Sequence, residues 1–462
     1  MKVYKKGFTY FICLVSAMGG FLFGYDWVVI GGAKPFYEIY FGISNDSVMQ
    51  AWAMSTALLG CLLGAIIAGA LADKYGRKKL LLISALVFFV SSLATGAVSN
   101  IYYFILARFV GGIAIGLAAD ISPMYIAEVA PSQIRGKLVS LNQLTIVLGI
   151  LGAQIVNMLI ADTVVENSTT NDILNSWNGQ MGWRWMFWAV CVPSGFFFLF
   201  TFLIPESPRW LVQKGKNELA KKALMKIGNQ EYAETEIARY NLSESIHSHA
   251  SAALKELFSP KIRKILLIGI IIAMFQQWSG TNIIFNYAQE IFQSAGYGIS
   301  DVLFNIVITG AAFLIFTFVA IFTVELIGRK MLMLIGAAGL TVVYAILSIC
   351  YFYNVTGIFI IVLVIFAIGF YAMSLGPITW VLLSEIFPNN VRGVAMATCT
   401  AALWIASFLL TYTFPFLYNN LGIGGAFGLY SLICAAGLIF ILKRVPETKG
   451  RSLEQLEKEL TN

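Results

Sequence analysis

The feature that most constrains this chain is a series of twelve apolar segments, each long enough to cross a bilayer at about 20 residues. Hydrophobic residues make up 58% of its 462 residues and charged residues only 12%, whereas a soluble domain carries about 25% charged residues. Lipid offers no hydrogen bonds to a bare backbone, so such segments are helical. The sequence therefore predicts an all-α polytopic membrane protein. The segments begin near Phe8, Val48, Leu80, Ile101, Leu138, Trp185, Ile265, Val302, Met331, Gly357, Val394 and Ala426.

The basic residues lie on one side of the predicted membrane. If both chain ends share a side, 28 of the 31 Lys and Arg residues fall on it, in groups of 9, 11 and 8; the exceptions are Lys34, Arg108 and Arg184. This asymmetry indicates that the shared side is cytoplasmic. We therefore expect an inner (plasma) membrane protein with both termini in the cytoplasm. The net charge of +7 is then explained by the cytoplasmic loops and does not indicate a nucleic-acid partner.

Neither a catalytic nor a metal-binding set is evident. The six cysteines lie in apolar segments without metal-like spacing, and His247 and His249 lie together in a polar loop. No nucleophile and base pair or phosphate-binding loop is present either. The chain is therefore not expected to be an enzyme or to hold a metal or cofactor. Its basic start resembles a signal peptide but lacks a small-residue cleavage site and continues as a full span.

The two halves of the chain repeat three signatures in the same order. Gly-Arg-Lys ends at Lys78 and again at Lys330, a Glu-to-Arg-Gly stretch closes at Gly136 and at Gly393, and a Pro-Glu exit starts at 205 and at 446. This order indicates duplication. The predicted division is an N-terminal six-helix bundle (1–204), a cytoplasmic linker with short helices (205–264), a C-terminal six-helix bundle (265–445) and a cytoplasmic tail (446–462).

Opposite charges recur within these repeats at the predicted cytoplasmic ends of the spans. Pairs that form in one conformation and break in another make a gate. The alternative is a set of surface anchors, because isolated surface pairs contribute only about 0 to 1 kcal/mol. The predicted gate comprises Glu128, Arg135, Glu206, Arg209, Glu325, Arg329, Glu385, Arg392 and Glu447.

The segment from Phe275 to Tyr287 places amides, hydroxyls and a phenol inside an otherwise apolar span. Ser279 and Gly280 weaken the helix at its centre, as in interrupted membrane helices that line a binding cavity. Polar groups at this depth must face something polar. The pattern favours a site for a small polyhydroxylated ligand, and the alternative is that the amides bind neighbouring helices together.

Asp26 and Arg108 are charges within apolar spans. Each costs at least about 2.5 to 3.5 kcal/mol at the bilayer centre, so each is a functional candidate. If the two pair in one conformation and separate in another, proton uptake by Asp26 is linked to the change of shape. The alternative is a static structural ion pair. Asp120, in the same span as Arg108, is either a second ion site or a side chain that reaches toward water.

Several motifs together resemble the sugar porter family of the major facilitator superfamily over nearly the whole chain, and within it the bacterial D-xylose:proton symporters. The motifs are Gly-Gly-Phe-Leu-Phe-Gly-Tyr-Asp (19–26), Arg108 with the Gly111-Gly112 pair, Pro-Met-Tyr-Ile-Ala-Glu (123–128), Trp-Arg-Trp-Met (183–186), the Gln-Gln stretch of the seventh span, the two Pro-Glu exits and Gly-Pro-Ile-Thr-Trp (376–380).

The resemblance implies two pseudo-symmetric six-helix bundles that import a monosaccharide together with a proton by alternating access. It implies proton coupling by Asp26 and Arg108, with Tyr287 near the outer gate and the monomer as the functional unit in the bilayer. The alternatives are an uncoupled facilitator and a membrane sugar sensor. Amides or aromatic groups are replaced at Ile150, Asn286, Phe313 and Leu403, so the sugar can be a pentose or a hexose. The implied sugar-binding residues are Phe23, Gln143, Gln276, Gln277, Asn282, Asn286, Trp380 and Trp404.

Overall fold

The computed structural model of the protein describes residues 4–165, 168–244, 257, 259–388 and 391–449. At 242–244, 261 and 325 it describes the backbone but not the side chain. Both histidines, the predicted tail beyond residue 449 and the side chain of Glu325 lie outside this description.

The first half of the chain forms eight α-helices and one short π-helix. The sixth span is continuous from the π-helix Asn178–Gly182 through two short α-helices. The helices are α1 (Lys6–Tyr40), α2 (Ser47–Tyr75), α3 (Arg77–Ala97), α4 (Ile101–Val129), α5 (Arg135–Ile160), α6 (Thr170–Asn175), α7 (Trp183–Ala189) and α8 (Cys191–Thr201).

Three short helices precede the second half: α9 (Pro208–Gln213), α10 (Asn217–Ile227) and α11 (Gln230–Glu244). The second half then follows with a similar series of long helices. These are α12 (Pro260–Trp278), α13 (Thr281–Asn286), α14 (Ala288–Ser294), α15 (Ile299–Ile327), α16 (Arg329–Phe352), α17 (Ile358–Ala372), α18 (Leu375–Ile386) and α19 (Arg392–Arg444).

The prediction of twelve membrane spans is confirmed. Within the described residues, 11 helical stretches are long and apolar enough to cross a membrane. The last of them, α19, has 53 residues and contains two spans that meet at Gly422, whose φ of 66° and ψ of 177° are not helical. Eleven stretches with one double span therefore give twelve crossings.

Both described chain ends lie at the same end of the helix bundle. Near the start, the Lys5 amide donates to the Ile227 carbonyl of α10 at 2.7 Å. Near the end, the Glu447 carboxylate accepts from the Arg329 amide at 3.0 Å. We call this end of the bundle the terminal face and the other end the opposite face.

The two halves are built alike at the terminal face. Gly76 and Gly328 have φ values of 94° and 101°, a conformation that a residue with a Cβ rarely adopts. Each glycine starts a helix whose first amides donate to a glutamate from the end of the same half. Glu206 accepts from Arg77 at 2.9 Å and Glu447 from Arg329 at 3.0 Å. This matched geometry is what a duplicated six-helix bundle produces.

The two halves contact each other at the opposite face. The Asn419 amide donates to the Ser47 hydroxyl at 2.6 Å, and the Val164 amide donates to the Ser300 hydroxyl at 2.9 Å. The Trp52 ring lies 5.4 Å from the Tyr412 ring. These contacts join α2 to α19, and the segment after α5 to α15, so the bundle is closed at this face.

Candidate functional site

The break predicted in the seventh span is present. Helix α12 ends at Trp278, Gly280 adopts a left-handed conformation with φ 84°, and α13 begins at Thr281. A Cβ on residue 280 would lie 2.8 Å from the Tyr430 ring, so the turn needs glycine both for its conformation and for its space. The break turns the side chains on either side of it toward one another.

Three amides from this break form a hydrogen-bonded chain. Gln277 Nε2 donates to Gln276 Oε1 at 2.9 Å, and Asn282 Nδ2 donates to Gln277 Oε1. Gln276 Nε2 in turn donates to the Gly376 carbonyl of α18 at 3.2 Å. The structure therefore brings three of the predicted binding residues together and ties them to the helix that carries Trp380.

Two amide oxygens of α13 have no hydrogen-bond donor among the described residues. They are Asn282 Oδ1 and Asn286 Oδ1, on side chains that are 1% and 3% exposed. Buried polar atoms are normally hydrogen-bonded, so each unpaired oxygen needs an explanation. An amide oxygen accepts only, so a ligand that satisfies these atoms must donate hydrogen bonds, as a hydroxyl does.

Aromatic rings from both halves meet beside the amides. The Phe23 ring of α1 packs edge-on against Trp404 of α19 at 5.7 Å and stacks on Trp27 at 5.9 Å. The Trp27 ring also lies 6.3 Å from Phe285 of α13. Two of the three predicted aromatic binding residues, Phe23 and Trp404, are thus in direct contact across the two halves.

Asp26 and Arg108 form a buried ion pair between α1 and α4. Arg108 Nη1 lies 2.5 Å from Asp26 Oδ1, and the two side chains are 5% and 7% exposed, respectively. The guanidinium also lies 5.6 Å from the centre of the Phe187 ring, a favourable cation–π position. Arg108 Nε has no acceptor among the described residues, so Asp26 supplies the compensating negative charge.

The ion pair and one of the amides border the same internal cavity. Its open volume of about 20 Å³ has room for one water molecule. That is far below the roughly 300 Å³ of a typical small-molecule pocket. A ligand the size of a sugar therefore requires the walls to move apart. The lining residues are Phe23, Asp26, Trp27, Ile30, Met54, Ala57, Leu58, Cys61, Arg108, Ile115 and Asn286.

The other predicted binding residues are not joined to the amide chain. Gln143 of α5 and Trp380 of α18 are half-buried, and neither side chain has a hydrogen bond to another described residue. Tyr287 is fully buried; its hydroxyl donates to the Thr411 carbonyl at 2.7 Å. Asp120 is half-buried in α4, without an ion pair in the described part of the chain.

Two of the predicted gate glutamates each face an arginine of their own half. Arg77 Nη2 lies 2.9 Å from Glu128 Oε1, and Arg329 Nη2 lies 3.0 Å from Glu385 Oε1. A hydroxyl completes each pair, since Ser207 donates to Glu128 and Thr448 to Glu385, both at 2.5 Å.

The remaining predicted gate residues surround these pairs. Arg209 is close enough to Glu128 to stabilise its negative charge. Arg392 donates to the Phe387 carbonyl at 3.1 Å, and Arg135 Nε lacks an acceptor among the described residues. Glu206 and Glu447 hold the starts of α3 and α16.

Sequence reasoning missed several residues that the structure places at these sites. Arg77 occupies the position in the first repeat that Arg329 occupies in the second, so alignment of the repeats would have found it. Trp27 carried no signal beyond being aromatic.

Lys34 and Glu38, four residues apart in α1, are a possible helical ion pair, and Lys34 was already an exception to the charge asymmetry. Its contact with Glu290 of α14 needs the tertiary structure.

Twelve spans in two similar halves, with an interrupted helix beside a buried ion pair, define a polytopic membrane transporter with the major facilitator fold. Residues 12–460 match the family model described as "Sugar (and other) transporter". The chain belongs to this sugar transporter family, which is a family of transport proteins and not of enzymes.

Similar proteins differ in the sugar that they are named for. The chain is 36% identical to the arabinose-proton symporter of Bacillus subtilis, over 98% of this chain and 96% of the relative. It is 38% identical to a glucose transport protein of Synechocystis, over 97% of each. The inward-open structure of the xylose transporter of Escherichia coli matches with a TM-score of 0.84 and 34% identity, over 97% of this chain and 99% of that one.

Proposed function

We propose that this protein is a proton-coupled symporter that imports a monosaccharide by alternating access. The observation that carries the proposal is the shared cavity: the Asp26–Arg108 ion pair and the predicted sugar contacts Phe23 and Asn286 line one internal space. A change in the charge of Asp26 therefore acts directly on the wall that faces the sugar.

The amide break is the proposed sugar site. Gln276, Gln277 and Asn282 offer both donors and acceptors at close spacing, which suits neighbouring hydroxyls of a sugar ring. The unpaired oxygens of Asn282 and Asn286 require donors that hydroxyls supply. Aromatic faces such as Trp404 pack against the apolar side of the ring. Gln143 and Trp380 complete the site once the halves close around the sugar.

Asp26 is the proposed proton acceptor. Its carboxylate is held by Arg108 in a buried position, where an unpaired charge is costly. Protonation removes the negative charge that holds Arg108, so the proton and the ion pair compete for the same carboxylate. Helices α1 and α4 can then shift with Asp26 uncharged and Arg108 released, and the proton leaves when Arg108 pairs with the carboxylate again.

The terminal face is proposed to be the cytoplasmic face of an inner membrane. The sequence assigns 28 of the 31 basic residues to the side that holds both chain ends, as is typical of cytoplasmic loops. The three exceptions have partners inside the protein: Lys34 pairs with Glu290, Arg108 with Asp26, and Arg184 donates to the Gly96 carbonyl at 2.6 Å. We propose the monomer as the functional unit, because one chain supplies every residue of the site.

A pentose or a hexose is proposed as the substrate. Ile150, Phe313 and Leu403 give apolar, buried positions at the predicted wall, with exposures of 0%, 5% and 4%. A hydroxyl that reaches such a position without a partner costs about 1 to 3 kcal/mol, so these side chains select against some sugars. Binding of a panel of pentoses, hexoses and deoxy sugars to purified protein identifies the preferred one.

The decisive experiment compares Asp26→Asn with the parent protein in proteoliposomes. We expect Asp26→Asn to abolish uphill sugar accumulation driven by a pH gradient and to retain counterflow exchange, because only the proton step is lost. Asp301→Asn is the control, since it removes an exposed carboxylate at the start of α15, away from the central site, and it should still accumulate sugar. Full accumulation by Asp26→Asn would refute the coupling assignment.

The second candidate is an uncoupled facilitator. The buried carboxylate of Asp26, paired with Arg108, argues against it. The two functions differ in one measurement: a symporter alkalinises a weakly buffered medium when sugar is added, whereas a facilitator leaves the pH unchanged.

A further inference from the structure

Three charged side chains meet at the opposite face, away from the central site. Lys34 Nζ of α1 contacts Glu290 Oε1 of α14 and lies 3.1 Å from Glu38 Oε1 of α1. The Lys34, Glu38 and Glu290 side chains are 2%, 7% and 15% exposed. We call these three residues the outer triad. It contains two carboxylates and one ammonium in a largely dry position.

The groups packed around the outer triad do not balance its second carboxylate. From α2, neutral Gln50 donates to Glu38 Oε2 at 3.3 Å. The Tyr287 ring lies 5.6 Å from Lys34 Nζ. Tyr37 of α1 points its hydroxyl at Met54 Sδ, 3.0 Å away.

The nearby cation on α4 is already engaged, because Arg108 pairs with Asp26. Glu290 Oε2 lacks a hydrogen-bond donor among the described residues. With all three groups ionised, the outer triad therefore carries one uncompensated negative charge away from water, which is unfavourable.

The composition of the outer triad depends on whether the opposite face is closed. Lys34 and Glu38 are one helical turn apart on α1, so they stay together in any conformation. Glu290 belongs to the other half and leaves when the halves separate. The open face then has a neutral Lys34–Glu38 pair and a hydrated Glu290 carboxylate. Only closure brings the two carboxylates together.

We propose that the outer triad is a second proton-binding site, which takes up one proton when the opposite face closes. The proton binds to one of the two carboxylates and leaves the triad neutral, with Lys34 paired to the other carboxylate. This inference rests on the proposed function for the direction of the membrane. The site opens only to the outside, so its proton returns there and is not transported.

The proposal fixes the sign of a pH effect. The closed face holds one proton more than the open face, so acid favours closure and alkali favours opening. For one proton, the equilibrium constant for opening rises by up to tenfold per pH unit. The number of protons transported per sugar is unaffected, because the outer triad releases its proton to the side from which it came.

The test measures opening directly rather than transport. Spin labels are placed at Tyr102→Cys and Tyr353→Cys, two exposed positions of the opposite face in different halves, after replacement of the six native cysteines. An Asp26→Asn/Arg108→Gln background removes the central proton site without leaving an unpaired cation on α4. Distance distributions are recorded from pH 5 to pH 9. We expect the open fraction to rise with pH in this background.

Two variants remove the proposed site independently. Glu38→Gln and Glu290→Gln each leave one carboxylate for Lys34, so each should abolish the pH dependence of opening. Asp301→Asn is the matched control: it removes an exposed carboxylate at the start of α15 on the same face and should leave the pH dependence intact. The use of two variants keeps the test valid if one of them fails to fold.

Persistence of the pH dependence in either folded glutamine variant would overturn the proposal. A fall in the proton-to-sugar ratio of Glu38→Gln in an otherwise native protein would also overturn it, since the outer triad would then belong to the transport path. These results are separate from the function itself. If the protein were an uncoupled facilitator, the spin-label experiment would still report on the outer triad.

Discussion

The two faces of the bundle are held together in different ways. At the terminal face, the ion pairs join residues of the same half, as Arg77 joins Glu128 and Arg329 joins Glu385. At the opposite face, the contacts join different halves, as Lys34 of α1 joins Glu290 of α14. The first set makes each half rigid, whereas the second set holds the two halves against each other.

The difference also concerns symmetry. The terminal-face pairs occur twice, with nearly equal lengths of 2.9 and 3.0 Å, because duplication copied the elements that each half needs for its own fold. Among the described ion pairs, the interhalf pair of Lys34 and Glu290 occurs once, since it forms between two surfaces that need not match. Stability and gating should therefore respond to different substitutions.

The largest effect is expected from Arg77→Met. It leaves Glu128, whose side chain is 7% exposed, as a buried charge without its main partner, which costs about 3 to 5 kcal/mol. Arg329→Met should cost less, because Glu385 is 25% exposed and water compensates it. Thermal unfolding in detergent measures both.

The double variant Arg77→Met/Glu128→Leu provides the control. It removes both charges and should recover most of the lost stability. If Arg77→Met instead left the unfolding temperature unchanged and only altered which face is open, the terminal-face pair would be a gate between conformations and the contrast between the faces would fail.

Much of the fold could be predicted from the sequence. The number of spans and the all-α fold class follow from the lengths of the apolar segments, since a bilayer admits only helices or closed barrels. The two related halves follow from repeated signatures such as those ending at Lys78 and Lys330. The junction at Gly422, inside the 53-residue α19, lies between the two spans predicted to begin near Val394 and Ala426. The domain boundaries stay predictions.

The site was predictable only where polarity conflicts with the membrane. Asp26, Arg108 and the amides of the seventh span stand out because lipid cannot compensate them. Trp27 and Phe285 gave no signal, since an aromatic residue suits both lipid and a cavity wall. Glu290 lies outside the apolar span, so only the tertiary structure reveals that it meets Lys34. The roles assigned to these residues stay predictions.

A second prediction concerns Lys34→Met, which should open the opposite face without unfolding the protein. The substitution leaves Glu38 and Glu290 facing each other when the face is closed, and like charges repel. We expect the closed fraction to fall by more than about tenfold, or about 1.4 kcal/mol, at neutral pH. The spin labels at positions 102 and 353 measure it.

Lys34→Arg is the matched control for this prediction, because it keeps the positive charge and should keep the face closed. A Lys34→Met protein that stays closed would show that Lys34 does not hold the opposite face closed. A Lys34→Met protein that unfolds as Arg77→Met does would show that Lys34 stabilises the fold and not one conformation of it.

A third, smaller effect is expected from Trp52→Ala. The Trp52 ring of α2 lies 5.4 Å from Tyr412 and 6.1 Å from Phe408, both on α19 of the other half. Such contacts contribute about 0.5 to 1.5 kcal/mol each beyond the buried area, so opening should become several times more favourable. Trp52→Phe should keep most of the closed fraction; if it opens the face as far as Trp52→Ala does, ring packing is not what holds α2 to α19.

The smallest effect is expected from Asn419→Ala. This substitution compares an exposed interhalf contact with the buried interhalf ion pair. The Asn419 amide donates to Ser47 across the halves at 2.6 Å, but the bond is exposed, so water replaces it when it is lost. Such substitutions change free energies by about 0.5 kcal/mol or less, and opening should change by no more than about twofold. The same labelled protein measures it, with Asn420→Ala as the control, since Asn420 donates to the Phe416 carbonyl of its own helix instead. If Asn419→Ala opened the face as far as Lys34→Met does, the hydrogen bond would outweigh the buried charges. The Lys34–Glu290 contact is buried and the Asn419–Ser47 contact is exposed. This difference in burial would then not determine which interhalf contact holds the opposite face closed.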